Sequence, residues 1–233
     1  MQLSIQQTDK IYHKKINLSM LYKNRQHAGQ MLALALRHLQ KKENLMVLGL
    51  PRGGVVCAAE VAAFLRCPLD VIICRKLGAP GNEEFAIGAI SEAGGEFLNT
   101  ADIVEMYGDE KYLEKVKQEE LEKIKKYQQE FRAGMPLPLL KQKTVIVVDD
   151  GAATGMTMKA AIDAARKQEA AKITVALPVS PQETAEELRA RCDELVILMI
   201  PPFFQAVGQF YEDFRQVETE KVKKILKDIN HQS

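Results

Sequence analysis

The run Val147-Val148-Asp149-Asp150-Gly151-Ala152-Ala153-Thr154-Gly155-Met156-Thr157 places two adjacent carboxylates, two glycines and two threonine hydroxyls between an apolar strand and a helical pattern. Each residue type has a use there. A helix that opens after a strand offers free backbone amides and the positive end of its dipole, which suits a phosphate. Gly151 and Gly155 let the backbone turn closely around an anion, and Thr154 and Thr157 add hydroxyl donors. Carboxylates only accept hydrogen bonds, so Asp149 and Asp150 would repel a phosphate unless they face something else. A sugar diol or a magnesium ion is the natural partner. The segment therefore specifies phosphate, sugar and metal together. An Asp pair that merely caps a helix would account for Asp149 and Asp150, but not for both glycines and both threonines.

Two further clusters could hold charge. Pro51-Arg52-Gly53-Gly54 follows the apolar run Leu45 to Leu50, and its amides with one guanidinium could clamp a diphosphate. The same four residues could also be an ordinary strand-to-helix connection. Arg75 and Lys76 leave the apolar run Leu69 to Cys74 and enter the turn-rich Gly78-Ala79-Pro80-Gly81-Asn82. By themselves two such cations read as a solvated strand end. Several chemistries have no support. Gly49 to Gly54 is followed by Val55 rather than the Lys and hydroxyl of a nucleotide-binding P-loop, and G-x-G-x-x-G, G-x-S-x-G and H-E-x-x-H are absent. His13, His27, His38 and His231 all lie outside these clusters.

The elements that must position these residues follow from periodicity. Asn24 to Gln40 has helical spacing, and the apolar runs 45–50, 69–74, 144–148, 172–177 and 194–200 read as strands. Helices are expected at 55–65, 156–168 and 182–190, and a hairpin at 85–98 across Gly94-Gly95. Strands alternating with helices imply an α/β fold with a mostly parallel central sheet covered on both faces. From Asp109 to Arg132 acidic and basic residues interleave around one narrow apolar stripe, which predicts a long charged helix. It is either a solvated helix clipped to the core or a subunit contact. After Pro201-Pro202 the residues Phe203, Phe204, Phe210 and Tyr211 form a cluster that either covers an aromatic ligand or closes a satellite core.

Across its 233 residues the chain carries 32 Lys and Arg against 31 Asp and Glu, so no bulk charge draws it to nucleic acid or a bilayer. Cys57, Cys67, Cys74 and Cys192 form no C-x-x-C pair and read as reduced, mostly buried residues. The first twenty residues are polar and lack a continuous apolar stretch, and no 18-residue apolar run occurs, so neither secretion nor a membrane span is expected. A cytoplasmic protein is expected.

The segment Val147 to Thr157 resembles the ribose-phosphate signature of the type I phosphoribosyltransferases. In that family the acidic pair holds the ribose hydroxyls, which implies that role for Asp149 and Asp150. The loop amides and last hydroxyls hold the 5′-phosphate, which implies Gly151, Ala152, Ala153, Thr154, Gly155 and Thr157. Pro51-Arg52-Gly53-Gly54 resembles the family's pyrophosphate loop, which often contains a cis peptide; the equivalent bond is Pro51 to Arg52. Arg75 to Gly81 is similar to the closing loop of adenine-type members, and the resemblance adds Arg75 and Lys76 to the pyrophosphate site. It covers about residues 24–217 and is nearest to a bacterial group of phosphoribosyltransferases of unassigned substrate, through Leu50 to Gly54, Arg75 to Gly81 and Ala206 to Phe214. Ala153 departs from the carboxylate that 6-oxopurine enzymes place before the Thr-Gly pair.

The resemblance implies one domain over 1–233, with a helical insertion at 109–132 and a hood at 200–215. It implies transfer of the 5-phosphoribosyl group from phosphoribosyl pyrophosphate to a nitrogenous acceptor, with magnesium, and Phe203, Phe204 and Tyr211 beside the acceptor. Asp149 and Asp150 would meet the metal directly or through ribose or water. The other reading is a non-catalytic ribose-phosphate-binding regulatory module. A homodimer, and no nucleic-acid or membrane partner, are expected.

Overall fold

A computed structural model describes residues 21–79, 82–98 and 110–230. Five parallel strands form the central sheet: β1 (Leu45–Gly49), β2 (Leu69–Val71), β6 (Thr144–Val148), β7 (Lys172–Val179) and β8 (Glu194–Met199), in the order β2-β1-β6-β7-β8. The chain runs from β1 outward to β2 and later returns to β6 on the other side of β1, so the order reverses between β1 and β6. That reversal places the loops after β1 and β6 side by side at the carboxyl edge, where open α/β sheets bind ligands. The pairing Gly49 with Val148 brings the two strand ends level.

Both faces of the sheet are covered, which is why its strands read as continuous apolar runs. Ile146 and Val148 point into a core shared with α1 (Arg25–Ala35), α2 (Gly53–Leu65) and α6 (Thr219–Asn230). Val145 and Val147 point the other way, towards α4 (Met156–Lys167) and α5 (Gln182–Arg189). Asn24 caps α1 by accepting from the His27 amide at 2.9 Å. At the far end of the chain Asn230 exchanges two hydrogen bonds with the backbone of Leu69 and so covers the edge strand β2.

A second, antiparallel sheet holds β3 (Cys74–Ala79), β4 (Asn82–Ser91) and β5 (Glu96–Leu98). The hairpin expected at 85–98 is present. The reading of Leu69 to Cys74 as one strand followed by a loop is corrected. The chain leaves the central sheet after Ile72, and Cys74 to Ala79 pairs with β4, from Cys74 with Ser91 to Ala79 with Asn82. The cause is tertiary: Cys74 to Ala79 gains a partner strand, and Leu77 and Ala79 are fully buried, neither of which the local turn residues reveal.

The long helix α3 (Glu110–Arg132) lies on this small sheet. It is charged towards solvent and clipped to the core. Ile124 is buried, Tyr112 donates to the Gly78 carbonyl at 3.2 Å, and Lys117 pairs with Glu96 at 2.7 Å. Arg132 pairs with the buried Glu92. Among the described residues no helix is long and apolar enough to cross a membrane.

Candidate active site

The loop after β6 and the loop after β1 are in contact. A Cβ on Gly54 would stand 2.7 Å from Asp149 Oδ1 and 2.8 Å from Asp149 Cα, and one on Gly53 would collide with the Asp150 carboxylate. Glycine is required at both positions because the two loops lie directly against each other. The peptide between Pro51 and Arg52 is cis, as the resemblance implies.

Two open helix ends therefore share one edge. Ala152 donates to the Val179 carbonyl at 3.1 Å, and the next internal bond is Lys159 to the Gly155 carbonyl at 2.8 Å. Among the described residues the amides of Ala153, Thr154, Gly155, Met156 and Thr157 meet no acceptor. Gly155 takes a left-handed φ of 66° to make the turn. The carbonyl of Ala153 is fixed from below by the Thr184 hydroxyl at 2.5 Å, which leaves Ala153 and Thr154 exposed on the rim. Open amides at a helix N-terminus form an anion nest.

The carboxylates are held differently. Asp149 Oδ1 accepts from the Asp150 amide at 2.8 Å. Burial pushes the Asp149 carboxyl well above the usual range, the neighbouring Asp150 adds to this, and Arg25 opposes it. Asp150 Oδ2 accepts from Arg25 Nε at 2.5 Å. The Tyr211 hydroxyl donates to the Asp150 carbonyl at 2.6 Å, and burial keeps that phenol protonated by pushing its pKa up. Arg25 escaped sequence reasoning because it lies in no motif. The bond from Tyr211 to Asp150 escaped it too, because only the fold brings the two together.

The remaining expected residues divide. Arg52 stands at the start of α2 and has no ion-pair partner among the described residues. Lys76 is exposed, whereas Arg75 turns to α3 and pairs with Glu120 at 2.7 Å. In the segment 200–215, Phe203 is 84% exposed, Phe204 stacks on Phe210 at 5.5 Å and Tyr211 lies in the core beneath the ribose-type loop. Val207 closes against Gly151, where a Cβ would approach it to 2.5 Å, so this segment does border the site. No cluster of three or more His, Cys, Asp or Glu able to hold a metal exists among the described residues. A metal here would draw most ligands from a bound polyanion and water, with at most the aspartate pair from the chain.

Comparison with known proteins gives one family. The phosphoribosyl transferase domain matches residues 17–215. Two Mycobacterium tuberculosis proteins that carry a provisional phosphoribosyl transferase name are 39% identical over 206 residues, 88% of this chain and 46% of theirs. The chain thus spans about half the length of these curated relatives. The crystal structure of TT1426 from Thermus thermophilus is 42% identical and covers 90% of this chain and 99% of its own, with a TM-score of 0.76. The matched residues 17–215 take in all five parallel strands and the two loops at the reversal point, and the chain belongs to the phosphoribosyl transferase domain family.

Proposed function

We propose that the chain transfers the 5-phosphoribosyl group from phosphoribosyl pyrophosphate to a nitrogenous acceptor and releases pyrophosphate. The observation that carries this reading is the abutment of the Gly53-Gly54 turn on the Asp149-Asp150 pair, with open amides on both sides. One substrate that carries a phosphate, a ribose diol and a diphosphate would use all three features at once. The amides from Ala153 to Thr157 hold the 5′-phosphate, the carboxylates orient the ribose hydroxyls, and Arg52 with the Gly53 and Gly54 amides faces the leaving diphosphate.

The bond between ribose C1 and the diphosphate oxygen breaks with its electron pair on oxygen. An acceptor nitrogen then forms the new bond to the oxocarbenium-like carbon, and its proton passes to the departing diphosphate or to water. Preorganised positive charge at the leaving oxygens is the main contribution the protein makes. Magnesium, carried with the diphosphate, would neutralise part of that charge. Asp149 and Asp150 are the residues of this chain that would hold it, directly or through ribose or water.

For the acceptor, Ala153 offers no carboxylate to a 6-oxopurine, which favours an adenine-like or non-purine amine. The exposed ring of Phe203 is the surface on which a heterocycle would stack. The test incubates the protein with phosphoribosyl pyrophosphate, magnesium and a panel of bases and amines, and follows pyrophosphate release. Acceptor-dependent release supports transfer. Binding without release for every acceptor would reduce the site to a ribose-phosphate sensor, and efficient use of guanine would overturn the inference from Ala153.

A further inference from the structure

We propose that Arg25 is a positioning residue, holding the Asp150 carboxylate in place and tying the ribose-type loop to the segment 211–215. The inference rests on the reading of Asp149 and Asp150 as ribose-binding residues. Arg25 opens α1, and its own carbonyl accepts from Cys57 Sγ at 3.2 Å, which fixes its backbone to α2. From there the guanidinium makes three contacts with three different groups. Nε donates to Asp150 Oδ2 at 2.5 Å, Nη1 donates to the Arg215 carbonyl at 2.8 Å, and the flat face lies 3.8 Å from the centre of the Phe214 ring. The Arg25 and Asp150 side chains are only 11% and 14% exposed, so this pair is poorly screened by solvent.

The pair is also a junction. Asp150 is gripped a second time through its carbonyl by Tyr211, and Tyr211 is itself locked to the start of the described chain by the bonds Tyr22 N to Phe210 O and Glu212 N to Tyr22 O, both 2.8 Å. A Cβ on Gly53 would stand 2.7 Å from Arg25 Nε, so the pyrophosphate-type loop rests on the same pair. Three segments far apart in sequence thus meet on the Arg25–Asp150 pair. The physical need is plain: two adjacent carboxylates repel each other and any incoming anion, and a fixed cation behind one of them relieves both. With Nε and Nη1 committed to protein acceptors, Arg25 acts on a ligand through Asp150. A lysine offers one charged point and cannot reproduce the fork and the stacked face together.

A double-mutant cycle read by calorimetry tests this, with phosphoribosyl pyrophosphate and magnesium as the titrant. The proteins are wild type, Arg25→Gln, Asp150→Asn and the double variant, with thermal unfolding as the check on folding. Each single variant should bind about 10- to 100-fold more weakly, the usual size for a lost charged hydrogen bond. The double variant should bind no more weakly than Asp150→Asn alone, because Arg25 acts only through that carboxylate. Arg25→Lys should recover only part of the loss. Wild-type affinity in Arg25→Gln overturns the proposal. So does a double variant whose loss is the product of the two single losses, since Arg25 would then touch the ligand itself. Should Arg25→Gln fail to fold, the cycle runs with Arg25→Lys and the same two outcomes decide. If wild type also fails to bind, the ribose-phosphate reading of the site falls and takes this inference with it.

Discussion

Replacing Asp149 by Asn should stabilise the fold at neutral pH while removing the ribose contact. The substitution keeps size and shape, which matters because Gly54 lies against this side chain and leaves no room for a larger one. The amide oxygen can still accept from the Asp150 N–H at the present 2.8 Å. What changes is charge. The Asp149 carboxyl is pushed well above its ordinary pKa, first by burial and then by Asp150, with Arg25 only partly opposing this. A carboxyl whose folded pKa lies above its unfolded value leaves stability intact below the unfolded value, about 3.9, and lowers it as pH rises through the folded value. Asparagine does not titrate and suffers no such loss. Each unit of elevation corresponds to about 1.4 kcal/mol at a pH above both values. For a chain of this length that is a rise of about 2 to 4 °C in Tm per kcal/mol. Thermal unfolding of both proteins from pH 4 to pH 8 should show curves that converge at the acid end and separate in favour of Asp149→Asn as pH rises. Calorimetry on the same samples should show weakened binding of phosphoribosyl pyrophosphate. A variant that is less stable than wild type at pH 8, or a difference that does not grow with pH, would refute the burial argument.

Arg52→Ala should leave the melting temperature nearly unchanged and lower turnover by about 10² to 10³, the usual size for one electrostatic donor at a charged leaving group; unchanged turnover in the folded variant removes Arg52 from the diphosphate site. Chelation of divalent metal should abolish pyrophosphate release and added magnesium should restore it, and full-rate release in chelator contradicts the metal's proposed role. Phe203→Ala should raise the acceptor's Michaelis constant without changing affinity for phosphoribosyl pyrophosphate or thermal stability, since the ring is 84% exposed. Phe204→Ala, which breaks the stack on Phe210, should instead lower the melting temperature, and steady-state kinetics with thermal unfolding separate the two.

Local sequence determined the elements and the two loops. Val145 to Val148 could only be a strand covered on both faces, and the acids, glycines and hydroxyls that follow could only sit where a strand hands over to a helix, because their chemistry is carried by neighbours in the chain. The helix 110–132 was legible for the same reason, as a periodic apolar stripe between charges. What the sequence could not supply was which segments pair across space. The adjacency of β1 and β6, separated by about a hundred residues, decides that Gly53 and Gly54 lie against Asp150 and Asp149. The pairing of Cys74 to Ala79 with β4 turns an expected loop into a strand and commits Arg75 to Glu120, although nothing local distinguishes that arginine from one aimed at a phosphate. Tyr211, whose aromatic cluster could either cover a ligand or close a satellite core, is drawn under the ribose-type loop by its bond to Asp150. Arg25 has no motif at all; only the packing of α1 on α2 and the return of the segment 211–215 deliver its guanidinium to a carboxylate more than a hundred residues away. Charge and hydrogen-bond partners are properties of neighbours in space, and only the folded chain fixes those.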